Sequence, residues 1–208
     1  MGGSMATGPD DTVKLAQGFT LQDRMDFVWR QVRFYIKNDA YLEGDFTLSS
    51  GKKSTYFLEM GNAINNCLCL PRMVELLHRD LVEIMRAYWR DESLVGIAGV
   101  ALGGAQIVSA YTARHPYLNS LTIRIDREKN KGEIETSPHI KKGKVVLVDD
   151  ILTTGKSLLF AKDLLEGDGF EVYKTFVFVD RQEGGLENCK EKGLEVKSFY
   201  TIKDILEA

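Results

Sequence analysis

The feature that most constrains the fold is a series of short apolar runs, rich in β-branched residues, in the second half of the chain. The runs are residues 94–100, 121–125, 145–150, 175–180 and 196–202. Helical spacing of apolar residues follows the first and third runs. Strands that alternate with helices form a parallel sheet covered on both faces. The sequence therefore predicts an α/β fold with a central, mostly parallel five-stranded sheet flanked by helices.

The first part of the chain has a different pattern. Residues 21–38 and 71–89 show helical spacing, and the alternation within 45–61 around the turn-forming "SSGKKS" predicts a β-hairpin. We expect residues 19–208 to form a single domain, with a small N-terminal hood made mainly by 19–65. Residues 1–18, which begin "MGGSMATGPDD", are interpreted as a disordered end or an expression leader.

Charge and composition narrow the function classes. The formal net charge of -3 predicts neither nucleic acid nor an anionic membrane as a partner, and no apolar run approaches the roughly 20 residues of a membrane helix. Three cysteines do not make a disulfide framework, so we expect a reducing cytoplasm. Cys67 and Cys69 form C-x-C without a nearby histidine, which argues against a metal site there.

Two adjacent acids, Asp149 and Asp150, come directly after the apolar residues 145–148. Carboxylates at the end of a buried strand cost free energy unless something binds them. They accept hydrogen bonds from sugar hydroxyls and can contact a hydrated divalent cation. The pair therefore predicts a diol site, with any metal ion contacted through water. The competing interpretation is that these acids only cap the next helix.

A hydroxyl-rich turn follows the acids and begins a helix. Its residues are Thr153, Thr154, Gly155, Lys156 and Ser157. Free N–H groups and the helix dipole favour phosphate at such a turn, so the acids and the turn together predict a ribose 5-phosphate site. The Walker A motif would need glycine at position 150, where Asp150 would face the triphosphate. This excludes a P-loop nucleotide triphosphatase.

Four segments carry a family resemblance. "VVLVDDILTTGKS" closely matches the 5-phosphoribosyl 1-diphosphate (PRPP) motif of type I phosphoribosyltransferases. "DFTLSSGKKSTYFLEMG", "IAGVALGGAQIVSA" and "VFVDRQEGG" resemble the hood, the pyrophosphate turn and the D-R-Q-E-x-G strand end of the orotate phosphoribosyltransferase family. The segments stand in the family's order, and the resemblance extends from about residue 20 to the C-terminus.

The resemblance implies a reaction and a set of partners. Orotate would displace pyrophosphate from C1 of PRPP with Mg²⁺ present, giving orotidine 5′-monophosphate for pyrimidine synthesis. The transition state would resemble an oxocarbenium ion, so catalysis would consist mainly of positioning and charge stabilisation. Members of the family share an active-site loop between subunits, which implies a homodimer.

The resemblance also implies a role for each matched residue. Asp149 and Asp150 would hold the ribose hydroxyls, the turn at 153–157 would bind the 5′-phosphate, and Gly103 and Gly104 would bind pyrophosphate. Orotate would be contacted by three further groups: Phe57 and Leu58 in the hood, Thr153 in the turn, and Arg181 at the orotate carboxylate. The competing interpretation of Arg181 is a surface ion pair with Glu183.

The sequence departs from the family in its mobile loop, which has the typical pattern R-K-x-x-K-x-H-G. With Gly132 aligned, Lys129 matches the catalytic lysine and Lys131 replaces the histidine. Arg124 lies one position away from the arginine of the family pattern, and Arg127 is the alternative match to that arginine. These four cations can still neutralise a diphosphate, so segment 124–136 is expected to be the shared loop. Its composition also fits a merely solvated loop.

Two other departures remove a positive charge. Gly103 and Ser49 stand where some members of the family have lysine. Two alternatives therefore stay open: a phosphoribosyltransferase for another nucleobase, such as uracil or a purine, and a PRPP-binding regulator without useful catalysis. Arg181 argues against the first, because those bases have no carboxylate.

Overall fold

A computed structural model describes residues 20–47, 51, 53–88, 93–126, 129 and 131–207. The expected leader, residues 1–18, lies outside them. The helices are α1 Leu21–Tyr35, α2 Met60–Ile64, α3 Cys69–Tyr88, α4 Ala101–Arg114, α5 Lys156–Gly167, α6 Gly185–Glu191 and α7 Ile202–Leu206, with a π-helix Ile36–Ala40 continuing α1. The strands are β1 Tyr41–Thr47, β2 Lys53–Leu58, β3 Leu94–Val100, β4 Asn119–Asp126, β5 Lys131–Glu135, β6 Lys144–Leu152, β7 Glu171–Asp180 and β8 Val196–Thr201.

The main sheet has the strand order β5-β4-β3-β6-β7-β8. The five strands predicted from the sequence pair in parallel, which confirms the predicted fold class. A sixth strand, β5, pairs antiparallel with β4. The sequence analysis assigned β5 to the loop at 124–136, because its five residues contain one apolar side chain, Ile134. Much of the expected loop is therefore a β-hairpin at the edge of the sheet.

The strand order reverses beside β3. The chain passes from β3 through α4 to β4 on one side, whereas β6 lies on the other side. Gly99 of β3 is in register with Val148 of β6, so the carboxyl ends of the two strands lie together. Ligands of open α/β sheets bind at such a switch point. The acid pair predicted from the sequence lies there.

Two apolar clusters cover the two faces of the sheet. Helices α1, α3 and α4 pack against strand residues that include Val146 and Val148, and α5 packs against residues that include Val145 and Leu147. Neighbouring residues of β6 belong to different clusters because successive side chains of a strand point to opposite faces of the sheet. In the part of the chain that the structure describes, no helix is long and apolar enough to cross a bilayer.

Strands β1 and β2 form a separate antiparallel sheet, which confirms the predicted hairpin. Residues 48–50 and 52 of its turn lie outside the described residues. The Glu59 N–H, directly after β2, donates a hydrogen bond of 2.9 Å to the Ala40 carbonyl. At the far edge of the sheet, the Tyr200 hydroxyl donates to the Trp29 carbonyl over 2.9 Å. These contacts fix the N-terminal helix and the hairpin to the sheet.

Candidate active site

The acid pair lies inside β6. Asp149 is buried and Asp150 is half-buried. The strand continues two residues beyond them to Leu152, which is in register with Asp180 of β7. The sequence pattern predicts a strand that ends at the acids, because polar residues usually mark a strand's end. Pairing with β7 instead continues the strand, and the Asp150 N–H donates to an Asp149 carboxylate oxygen over 2.9 Å.

The electrostatics of Asp150 favour a ligand that donates hydrogen bonds. Burial raises the pKa of Asp150, and the nearby Glu59 carboxylate raises it further, against hydrogen bonds with Asp149 and the backbone that lower it. An ionised Asp150 is therefore costly without a donor, and sugar hydroxyls would supply one. Glu59 lies within the hood segment, but its distance along the chain from Asp150 hides this contact in the sequence.

Glycines bring the start of α4 against β6. A β-carbon built on Gly103 would collide with the Asp150 carboxyl group, and one built on Gly104 would collide with the Val148 carbonyl. Ala101, the first residue of α4, has a φ of 51°, a conformation that costs roughly 1–3 kcal/mol for a residue with a side chain. In this protein the packing therefore excludes a side chain at positions 103 and 104.

The phosphate turn lies between β6 and α5. Gly155 has a φ of 80° and is the N-cap of α5, and glycine has no side chain with which to cap the helix. Thr153, Thr154 and Ser157 are half-buried, and Lys156 is exposed. The first-turn N–H groups and the helix dipole make this turn suitable for a phosphate.

Helix α6, which the sequence analysis did not predict, packs behind this turn. The Asn188 side-chain amide donates to the Thr154 carbonyl over 3.0 Å. A β-carbon on Gly155 would lie 2.7 Å from the Cys189 sulfur, and one on Gly185 would lie 2.7 Å from the Leu152 side chain. Seven residues are too few for a clear helical period, so only the Gly184-Gly185 pair marks this segment in the sequence.

Arg181 follows β7 and points into the protein. Only 5% of its side chain is exposed, and its Nε lies 2.9 Å from a Glu183 carboxylate oxygen. The contact with Glu183 predicted as a surface ion pair therefore exists, but the arginine is buried. The contact is an ion pair without the alignment of a hydrogen bond, since the Nε–H does not point at the Glu183 oxygen. The guanidinium carbon lies 5.0 Å from the Tyr56 ring centroid, which brings the hood to this site.

A strained turn supports Arg181. The N–H of Arg181 donates to the Leu152 carbonyl over 2.9 Å. Gln182 has a φ of 58°, and its N–H donates to the Asp180 carboxylate over 2.9 Å. Burial raises the pKa of Asp180, and the Gln182 hydrogen bond opposes that rise. The D-R-Q-E segment is thus a fixed turn beside the acid pair.

The two hood residues predicted to cover the base lie in different environments. The Phe57 ring packs 5.7 Å from the Phe46 ring within the hairpin. Leu58 is 4% exposed and belongs to the core. Their contact with orotate remains a prediction.

The predicted loop cations lie on the β4–β5 hairpin. Arg124 pairs with Glu135 at 2.8 Å, and Lys129 pairs with Asp126 at 3.0 Å, all largely exposed. Lys131 is exposed in β5. Arg127 lies outside the described residues. Hydrogen bonding to Glu135 raises the pKa of Arg124. Arg124 and Lys129 thus pair with acids of their own hairpin.

Comparisons with known proteins agree with this geometry. Residues 73–201 match the family model described as "Phosphoribosyl transferase domain". The orotate phosphoribosyltransferase of Methanopyrus kandleri is 35% identical over 176 residues, which cover 85% of this chain and 90% of that protein.

Solved structures share the fold. The crystal structure of orotate phosphoribosyltransferase from Aeropyrum pernix has a TM-score of 0.67 and 29% identity, covering 85% of this chain and 97% of that one. The Mycobacterium tuberculosis enzyme in complex with PRPP has a TM-score of 0.65 and 23% identity, covering 86% of this chain and 98% of that one.

Proposed function

Because the chain belongs to the orotate phosphoribosyltransferase family, we propose that it transfers the 5-phosphoribosyl group from PRPP to orotate, giving orotidine 5′-monophosphate and pyrophosphate. The observation that carries the proposal is the buried Arg181 guanidinium, whose Nε pairs with Glu183 and whose backbone is held by β6 beside the phosphate turn. A guanidinium has five N–H donors, so a second anion can bind beside Glu183. A base bearing a carboxylate would supply it.

PRPP would bind along the crevice between β3 and β6. Its 5′-phosphate would accept hydrogen bonds from the first turn of α5 and from the hydroxyls of Thr153, Thr154 and Ser157, with Gly155 allowing close approach and Lys156 adding charge. Asp149 and Asp150 would accept hydrogen bonds from the ribose hydroxyls. Those bonds would favour ionised carboxylates as positive charge develops on the ribose.

The leaving group would lie over the start of α4. Gly103 and Gly104 would present backbone N–H groups to the pyrophosphate, since a side chain there would collide with β6. Lys129 and Lys131 would neutralise the charge that grows on the pyrophosphate, with Arg124 and Arg127 binding it in both substrate and product. The chain provides no histidine in this hairpin, so lysine would supply the positive charge.

Orotate would bind between the phosphate turn and the hood. Arg181 would pair with its carboxylate, Thr153 would contact the base, and Phe57 and Leu58 would cover it. Arginine suits a planar carboxylate because its guanidinium presents donors in a fixed fork. Uracil and purines lack the carboxylate, so binding them would leave the guanidinium unsatisfied.

Mg²⁺ is the cofactor we propose. Among the described residues, no three histidine, cysteine or acidic side chains are grouped to hold a metal ion. This donor set fits an ion that is bound mainly by substrate phosphates and water, as Mg²⁺ prefers. Asp149 and Asp150 would contact it through water. When bound, Mg²⁺ neutralises negative charge on the pyrophosphate.

We also propose a cytoplasmic homodimer in which segment 124–136 reaches the partner's active site. The exposure of Arg124 and Lys129 supports this arrangement, because both side chains are available to another subunit. All three cysteines are free, as expected in a reducing compartment. Residues 19–208 would form the single catalytic domain, with 19–65 as its hood.

The experiment is an acceptor comparison for wild type, Arg181→Lys and Arg181→Ala. We expect wild type to prefer orotate over uracil, and both variants to raise the orotate KM far more than the PRPP KM, by about tenfold to a hundredfold. Lysine should restore part of the binding, since it keeps the charge without the fork. Equal increases in both KM values would contradict the carboxylate role. PRPP binding without turnover on any base would favour the regulator.

A further inference from the structure

The Arg181 guanidinium is the last member of a column of side chains that begins in the hood. Its guanidinium carbon lies 5.0 Å from the Tyr56 ring centroid. The Tyr56 ring stacks on Tyr41, with centroids 5.7 Å apart and an interplanar angle of 22°. The Lys37 ammonium lies 4.4 Å from the Tyr41 centroid. The column therefore joins the π-helix, both hood strands and the end of β7.

The alternation of β2 directs Tyr56 to this position. Along the strand, Thr55 is exposed, Tyr56 is half-buried and Leu58 is buried. Phe57, between them, packs against Phe46 instead. Successive side chains of a strand point to opposite faces, so the face that carries Leu58 into the core also carries Tyr56 towards Arg181.

Two groups constrain the guanidinium from different directions. Glu183 lies 2.9 Å from the Nε, and the guanidinium carbon lies over the Tyr56 ring. Arginine has a long side chain with large rotamer freedom, and each fixed contact lowers the entropy that a ligand must remove on binding. A cation over an aromatic face is also stabilised most when both are shielded from water. The Arg181 side chain is 5% exposed and Tyr56 is half-buried, so the pair is largely shielded.

We propose that Tyr56 is a positioning residue for the transfer reaction: it holds the Arg181 guanidinium in the orientation that receives the carboxylate of the acceptor base. The hood hairpin thereby contributes to acceptor specificity through Arg181, in addition to covering the base. This inference rests on the proposed role of Arg181 in reading the carboxylate. It assigns to Tyr56 no contact with the reacting atoms.

The test compares three replacements of Tyr56 in the full-length protein. Tyr56→Leu removes the aromatic face. Tyr56→Phe keeps that face without the hydroxyl. Pentafluorophenylalanine at position 56 keeps the ring's shape but removes the negative charge of its face. The last replacement separates attraction for the guanidinium from simple packing, and it keeps the test decisive if the leucine variant folds poorly.

We expect the leucine and pentafluorophenylalanine variants to raise the orotate KM about tenfold. The PRPP KM and kcat should stay within about twofold of wild type, and Tyr56→Phe should restore the wild-type orotate KM. Tyr41→Leu is the matched control, because Tyr41 belongs to the same column without contacting Arg181. Its effect on the orotate KM should be clearly smaller.

A double-mutant cycle tests whether Tyr56 acts through Arg181. In the Arg181→Ala background, Tyr56→Leu should raise the orotate KM no further, since the group that it positions is gone. The same fold increase in both backgrounds would overturn the inference, and so would equal increases in the orotate and PRPP KM values. Wild-type protein that uses no orotate would instead count against the proposed function itself.

Discussion

The Asp150 carboxyl group lies directly against the α-carbon of Gly103, so that a β-carbon at position 103 would occupy the same space. Gly103 belongs to the first turn of α4, and Asp150 belongs to β6. Their contact closes the crevice where the strand order reverses. It also gives a structural reason for glycine at a position where some members of the family have lysine.

Gly103→Ala should therefore displace the Asp150 side chain and weaken PRPP binding. We expect the PRPP KM to rise about tenfold or more, because an error of about 1 Å in a positioning group is costly. Steady-state kinetics with PRPP varied would measure it. Gly167→Ala is the control, since a β-carbon there meets nothing within 4 Å. Equal PRPP KM values for both variants would show that Asp150 can move freely.

Asp150→Asn should weaken PRPP binding and stabilise the folded protein. The folded protein raises the pKa of Asp150, chiefly by burial, so folding favours the protonated form. That contribution is fully present below the unfolded pKa near 3.9 and is lost as pH rises through the folded pKa. At pH 7 the charged group opposes folding, and asparagine removes this charge.

The melting temperature of Asp150→Asn at pH 7 should thus exceed that of wild type. In a domain of this size, each 1 kcal/mol gained in the free energy of unfolding raises the melting temperature by about 2–4 °C. PRPP affinity, measured by calorimetry, should fall about tenfold or more because the ribose loses a charged acceptor. Asp163→Asn, at an exposed position of α5, should change neither quantity. A variant with lower stability and normal PRPP affinity would refute both roles of Asp150.

Lys131→Ala should lower kcat by about tenfold or more, since the lysine would stabilise negative charge on the departing pyrophosphate. Single-turnover rates with saturating PRPP would measure this effect. Lys141→Ala provides a matched loss of charge at an exposed residue before β6, at the end of that strand away from the acid pair. If both variants keep the wild-type rate, the hairpin is only a solvated surface.

A mixture of Lys131→Ala and Asp150→Asn subunits should regain activity that neither variant has alone. In a mixed dimer, one active site would receive an intact hairpin from the partner and keep its own Asp150. Activity after joint refolding of the two variants would measure this complementation. No gain in a confirmed mixed dimer would mean that each subunit uses its own hairpin.

His78 and His115 should make stability depend on pH. Their rings stack with centroids 3.8 Å apart. Burial lowers the pKa of both, Arg114 lowers both further, and Glu75 opposes the shift at His78. The stability that the two neutral histidines contribute is fully present above their unfolded pKa near 6.5. It falls as the pH drops through their lowered pKa values in the folded protein. His115→Gln should flatten the decline in melting temperature between pH 7 and pH 5, whereas an unchanged slope would contradict this origin.

The sequence predicted the elements whose patterns are local. The buried run of β3 was located at its observed bounds, because a strand covered on both faces has a continuous apolar sequence. Strand β5 escaped prediction because it is short, exposed on alternate residues and paired only at the sheet edge. With Ile134 as its one apolar side chain, β5 shows no alternation of apolar and polar residues that would predict a strand.

Contacts between distant parts of the chain could not be predicted in the same way. The family motifs marked Asp150 and Arg181, but their neighbours Glu59 and Tyr56 come from the hood. No spacing rule connects residues that the fold brings together from separate elements. Residue types therefore indicated the chemistry of the site, whereas the sheet topology determined which side chains surround it.

The measurement that tests the central claim most directly is the loss of orotate absorbance when purified protein is mixed with PRPP and Mg²⁺. Uracil, adenine and guanine should be assayed in parallel. The account predicts that orotate is consumed, that orotidine 5′-monophosphate and pyrophosphate form in equal amounts, and that the other bases react far more slowly. Binding of PRPP without consumption of any base would contradict the account and identify a regulator.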